Sequence, residues 1–287
     1  MIYILLSILL NASLFLIFRL FVQFKIDTFQ AIVFNYFFAF VVAYFSSDIH
    51  FSYLETPKQD WFFGALFLGF LFISLFYTTG LTAQKLGLSV VAVAGKMSVV
   101  IPVLFGVIVY NESSATIKII GIFLAIIAVY FTSVKQNIAI KESYIHLPIL
   151  LFFGSGILDT ILKYIEKNYV STSEISVYLS TIFLTAGILG FLSVLFLVFF
   201  KNQKLKWKNF IAGIVLGVPN YFAMYFLLKA LQTEGLESST IFSINNVSIV
   251  LISTLLGLFV FKEGLSKNNI FGIALAIISI VLITLSI

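Results

Sequence analysis

The sequence predicts an all-α integral membrane protein with ten transmembrane helices, arranged as two inverted five-helix repeats. Three observations predict it. Of 287 residues, 61% are hydrophobic and only 10% are charged, and mean hydropathy is +1.13. A soluble domain carries about 25% charged residues, so this chain lacks the polar surface to cover a water-soluble globule. The apolar residues also fall into ten runs, each close to the ~20 residues that cross a bilayer. Finally, the segment leading into the fifth run recurs before the tenth.

The runs lie near 2–23, 28–46, 61–84, 88–110, 116–134, 147–168, 174–200, 209–232, 238–261 and 268–287. The first has no basic residue ahead of it and is too long for a signal-peptide core, so it reads as an uncleaved helix. The second contains Asn35 and Tyr36, and the fourth contains Lys96 and Pro102. The sixth carries Ser155, Asp159 and Lys163; the eighth carries Pro219, Asn220 and Tyr221; the ninth carries Ser243, Asn245, Asn246 and Ser248. Backbone polar groups in lipid must pair internally, which leaves helices or a closed barrel. Barrel strands alternate apolar and polar residues, and runs such as Ile122–Tyr130 and Phe191–Phe200 do not. Helices are therefore expected, joined by short loops with no room for a soluble domain.

The chain has no cysteine, which removes disulfides, thiol catalysis and thiolate metal sites. Its net charge of +5 and pI near 9.2 come from lysines scattered between apolar runs, as loops facing anionic lipid require, and not from a nucleic-acid-binding surface. No cofactor or metal is expected.

Glu112–Ile127 aligns without gaps to Glu263–Ile278 at an offset of 151, with identities at Glu112/Glu263, Ile119/Ile270, Gly121/Gly272, Ile122/Ile273, Leu124/Leu275, Ala125/Ala276, Ile126/Ile277 and Ile127/Ile278. Gly106 and Gly257 keep that offset, while Arg19/Lys163 and Asn11/Ser155 correspond at 144. Five spans per copy is an odd number, so the second copy enters the membrane upside down. The expected halves are 1–136 and 146–287. Many secondary transporters use this architecture, with the solute site at the midplane between the halves.

The pattern Gly106…Glu112…Gly121, repeated as Gly257…Glu263…Gly272, resembles the EamA-type ten-helix carriers of the drug/metabolite transporter superfamily, as does Tyr225–Asn246. The sequence departs from that family by placing Lys96 ahead of the proline of its fourth helix. The resemblance implies a multi-pass inner-membrane carrier of small metabolites, amino acids, drugs or nucleotide sugars. It would work by alternating access, with helices one, three, four, six, eight and nine around a central cavity.

An ionisable residue at the bilayer centre costs at least ~2.5 kcal/mol and is a functional candidate. Lys96 and Asp159 are the two deep ones, opposite in charge. They are expected to interact and to bind a zwitterion or relay a proton; a structural ion pair or a snorkelling lysine is the alternative. Ser155, Asp159 and Lys163 share a helix face, as do Asn11, Phe15 and Arg19, and an Asp159–Lys163 pair on one helix is a further option. Asn35, Tyr36, Asn220, Tyr221, Asn245 and Asn246 are candidate cavity groups, or alternatively helix–helix glue. Pro102 and Pro219 are candidate kinks or gates. Glu112 and Glu263 read as structural residues near helix N-termini.

With the termini on side one, Lys58, Lys118, Lys163, Lys167 and Lys229 lie on that side. Arg19, Lys25, Lys85, Lys135, Lys141, Lys201, Lys204, Lys206, Lys208, Lys262 and Lys267 lie on side two. The positive-inside rule puts side two in the cytoplasm, whereas the family resemblance implies cytoplasmic termini. The expected function is secondary transport, chiefly export, of a small organic solute by a monomer or weak homodimer. There is no GxxxxGK[ST] loop, so coupling to protons or exchange is expected rather than ATP. A channel or a non-transporting scaffold is the alternative. An intramembrane enzyme would need two deep acids or a Ser/His set, and His50 and His146 lie near span ends.

Overall fold

The computed structural model describes residues 2–46, 55–109, 116–133, 144–232, 238–262 and 264–285, and among them every regular element is helical. The helices are α1 (Ile2–Gln23), α2 (Thr28–Phe45), α3 (Phe62–Leu86), α4 (Leu88–Met97), α5 (Val100–Val109), α6 (Thr116–Ser133), α7 (His146–Tyr169), α8 (Ile175–Lys201), α9 (Trp207–Leu231), α10 (Ser238–Phe259) and α11 (Lys267–Leu285), with a short 3-10 turn at Thr56–Lys58. Six of them, α1, α2, α3, α7, α8 and α9, are long and apolar enough to cross a membrane, and the others include shorter apolar helices. Large apolar side chains such as Phe45, Phe63, Phe199, Phe200 and Phe259 are exposed, as a lipid-facing surface requires.

Local chemistry sets the helix ends. Asp27 caps α2, its carboxylate accepting from the Gln30 amide at 3.0 Å. Ser266 caps α11 in a reciprocal box: its Oγ accepts from Asn269 N–H at 3.1 Å, and Asn269 Oδ1 accepts from Ser266 N–H at 3.1 Å. Ser266 and Asn269 thus do at α11 what the sequence suggested for a carboxylate; Glu112 and Glu263 lie outside the described residues. Gly87 alone separates α3 from α4. Its φ of 98° is open to glycine at little cost, which permits so abrupt a reversal.

The fourth expected span is not one helix. It breaks at Ser98–Val99 between α4 and α5. Pro102 accounts for the position, because its ring has no N–H to donate to the carbonyl four residues back, that of Ser98, and crowds it. Ser98 Oγ instead donates to Gly95 O at 2.5 Å. At Pro219, by contrast, α9 runs continuously through the proline.

The principal packed pairs are α6–α11, α2–α8, α4–α10, α2–α9, α3–α8, α1–α9, α3–α7, α1–α10, α4–α7, α4–α6 and α10–α11. This set is unchanged when α1 is exchanged with α7, α2 with α8, α3 with α9, α4 with α10 and α6 with α11. Small residues allow close approach. A Cβ on Gly217 of α9 would fall 2.7 Å from Asn35 O of α2, and one on Gly69 of α3 would fall 2.9 Å from Ile182 O of α8. The repeated sequence has a packing explanation. Gly121, Ala125, Gly272 and Ala276 are buried, α6 and α11 pack on each other, and Ser279 Oγ donates to Gly121 O across that seam at 2.7 Å.

A candidate solute site at the helix break

Lys96 lies 8 residues into α4 and Asp159 13 residues into α7. At 1.5 Å per residue they stand ~12 and ~20 Å from side two, within the middle of a ~30 Å hydrocarbon layer. The helices α4 and α7 pack together, and the Asp159 carboxylate and Lys96 ammonium interact electrostatically. Among the described residues no direct hydrogen bond joins them. Both are half-buried, and a Cβ added to neighbouring Gly95 would meet nothing within 4 Å among the described residues. A charged pair therefore borders open space beside a broken helix, where the Val99 and Ile101 amides donate to Lys96 O at 3.4 Å and Ser98 O at 2.9 Å in tight turns instead of continuing the α-helix. Gly156, one turn before Asp159, holds α7 against the start of α5: a Cβ there would fall 2.3 Å from Ile101 Cδ1.

The other predicted residues divide into groups. Half-buried Asn11 donates to Ser7 O at 3.0 Å, while Ser7 Oγ donates to Ala223 O of α9, so α1 is tied to α9 one turn away. Asn245 and Asn246 on α10 are buried, and among the described residues Asn245 Oδ1 has no hydrogen-bond partner; the hydroxyls of Ser89, Ser253 and Thr254, also on the α4 and α10 pair, share that state. Asn35 and Asn220 meet each other instead of open space, with Asn220 Nδ2 donating to Asn35 Oδ1 at 3.2 Å between α2 and α9. Tyr36 Oη donates to Phe72 O at 2.8 Å, and Tyr221 Oη lies 3.3 Å from Ser176 Oγ. These four residues are buried and satisfied by protein partners, and their rings and amides knit α2, α3, α8 and α9 together. Lys163 lies one turn further toward side one, beside Glu166.

The two membrane faces differ. At side two, Gln203 Nε2 donates to Asp27 Oδ2 at 2.7 Å, Asn209 Nδ2 to Gln30 Oε1 at 2.6 Å, Gln30 Nε2 to Lys204 O at 3.1 Å, and Arg19 to Gln84 O at 3.0 Å. The α1–α2 and α8–α9 connections are thereby tied together, and α1 is tied to the end of α3. Sequence reading missed this network, because residues at span ends look like solvated polar loops. The spacing of Asp27 and Gln30 at the start of α2 was its one legible sign. At side one, Gln232 Nε2 donates to Glu166 Oε1 at 2.9 Å, linking the ends of α9 and α7.

The EamA-like transporter family's sequence profile matches residues 143–285. The chain is 28% identical over 260 residues to an uncharacterized protein of Haemophilus influenzae, covering 88% of this chain and 86% of the relative. A crystal structure of 14% identity superposes at a TM-score of 0.62 over 97% of both chains, a likeness of fold. With the match over its second half joined to a bundle of apolar, membrane-length helices, the chain is a multi-pass membrane protein and belongs to the EamA-like transporter family.

Proposed function

We propose that this protein is a secondary transporter of a small organic solute in the cytoplasmic membrane, working by alternating access between two inverted five-helix halves. The observation that carries the reading is the opposed pair Lys96 and Asp159 beside the α4/α5 break, bordering open space at Gly95. A desolvated charge of each sign suits a solute with complementary groups, and Asp159 is the natural resting place for a coupling proton. Two halves that rock need a packing map that survives their exchange, and the principal helix pairs support that reading. In this reading the side-two network is the closed gate.

The test is flux in proteoliposomes holding the full chain, with amino acids, sugars, nucleotides and cationic drugs as separate probes. Saturable flux is expected for one class. Removing one charged contact of about 1.5–3 kcal/mol should cut it ~10- to 100-fold in Asp159→Asn and in Lys96→Met. Full flux in both variants would sink the paired-charge site, and ohmic conductance would make the protein a channel.

A further inference from the structure

The polar face of α7 does not end at Asp159. Asp159, Lys163 and Glu166 follow at steps of four and three residues, so they line one face from the midplane to side one. Glu166 stands 20 residues into α7, ~30 Å from side two by helical rise, at the opposite membrane face. Yet it is only 8% exposed. It borders a cavity of about 540 Å³ lined by Lys163, Glu166, Lys167, Thr172, Leu231 and Gln232 among others, a size that suits a small molecule. Among the described residues Gln232 Oε1 in the lining has no hydrogen-bond partner, nor have Tyr178 Oη, within electrostatic reach of Glu166, and Trp61 Nε1, whose ring meets Tyr178 edge-on at 5.5 Å. Buried groups left unpaired are uncommon and costly.

The chemistry of the lining is two-sided. The Glu166 carboxylate and Gln232 Oε1 offer acceptors to an ammonium group. Lys163 and Lys167, both acting electrostatically on Glu166, offer cations to a carboxylate. A lone cation meets the lysines and a lone anion meets Glu166; a molecule carrying both charges is opposed by neither. Val170 and Leu231 add apolar wall for a hydrocarbon side chain. We propose that this cavity is a second, vestibular binding site for a small zwitterion, reached before or after the Lys96/Asp159 site along the polar face of α7. The proposal rests on the transport reading above and names the solute's charge class.

The chain has no native cysteine, so Thr172→Cys places one thiol on the cavity lining, where Thr172 is exposed. The full chain in nanodiscs is labelled with a cationic methanethiosulfonate, with L-leucine, leucinamide (cation only) or N-acetylleucine (anion only) added. Saturating L-leucine should slow labelling about tenfold by occupancy, and the two singly charged analogues should not. Protection should vanish when Glu166→Gln or, independently, Gln232→Met is added, and persist with Asp159→Asn. No protection by L-leucine, equal protection by an analogue, protection surviving both lining variants, or loss of protection with Asp159→Asn would each overturn the vestibular site. The central site fails separately: it falls when Asp159→Asn and Lys96→Met carry solute at the parent rate while protection at Thr172→Cys remains.

Discussion

Gly217→Ala offers a sharp test of the packing, because the same change at Gly95 should have the opposite effect. On helix propensity alone, either substitution in a helix interior gains ~1 kcal/mol. At Gly217 the new Cβ would sit 2.7 Å from Asn35 O and 2.9 Å from Phe38 Cβ, against an ordinary contact of 3.4 Å or more. The neighbouring atom is backbone of α2, so α9 must withdraw by about 0.7 Å (3.4 less 2.7). The Asn220–Asn35 bond, one turn along the same seam at 3.2 Å, is then pulled beyond hydrogen-bonding range. Overpacking of this kind costs ~1–3 kcal/mol, and an interhelical hydrogen bond in a membrane adds ~0.6–1.7 kcal/mol. After the propensity gain, a net loss of ~0.6–3.7 kcal/mol remains for Gly217→Ala. At Gly95 nothing lies within 4 Å, so the substitution keeps its gain of up to ~1 kcal/mol while narrowing the space beside Lys96. The assay is reversible denaturant unfolding of both variants in matched micelles, together with solute flux. Gly217→Ala as stable as the parent, or Gly95→Ala destabilised as much as Gly217→Ala, would refute the argument.

The remaining expectations are simpler. Asp27→Ala removes the acceptor for Gln203 and for the α2 N-terminus; a thiol introduced in that background at Gln84, inside the side-two network, should label faster from side two than the same thiol in the parent, and an unchanged rate would detach the network from gating. Ser266→Ala should cost ~1 kcal/mol through loss of the α11 cap, while Asn269→Ala should cost a similar amount if the box is reciprocal; denaturant midpoints measure both. A reporter fused to the C-terminus decides which face holds the closed network. Cytoplasmic activity places the vestibule inside, and activity only outside places it outside.

Much of the bundle was legible because a bilayer imposes a length on apolar runs. The first run, 2–23, is α1 to the residue, and the sixth and eighth differ from α7 and α9 by one or two residues at each end. Lys96 and Asp159 were legible for the same reason, since few charges interrupt the spans. Direction around each helix was not. Asn35 and Asn220 read equally well as cavity groups or as glue, and only the approach of Gly213 and Gly217 to α2 turns them toward each other. Pro102 was legible as a disturbance, but the break falls at Ser98–Val99 because the proline acts on a carbonyl one turn earlier. Glu166 was hidden by position: near a span end, an acid buried with the help of Gln232 from the end of α9 looks like an ordinary solvated one.

The seam between α6 and α11 has a consequence for how such proteins diversify. The strongest internal repeat lies in this pair, whose small residues are spent on each other and whose cross-link runs from Ser279 to a backbone carbonyl. A carbonyl is present whatever residue supplies it, so the seam makes no demand on the side chains at Lys96, Asp159 or Glu166. Cargo preference can therefore drift without disturbing the mast that holds α4 and α10 upright. The part of the chain that most readily announces its kinship is then the part least informed about what is carried.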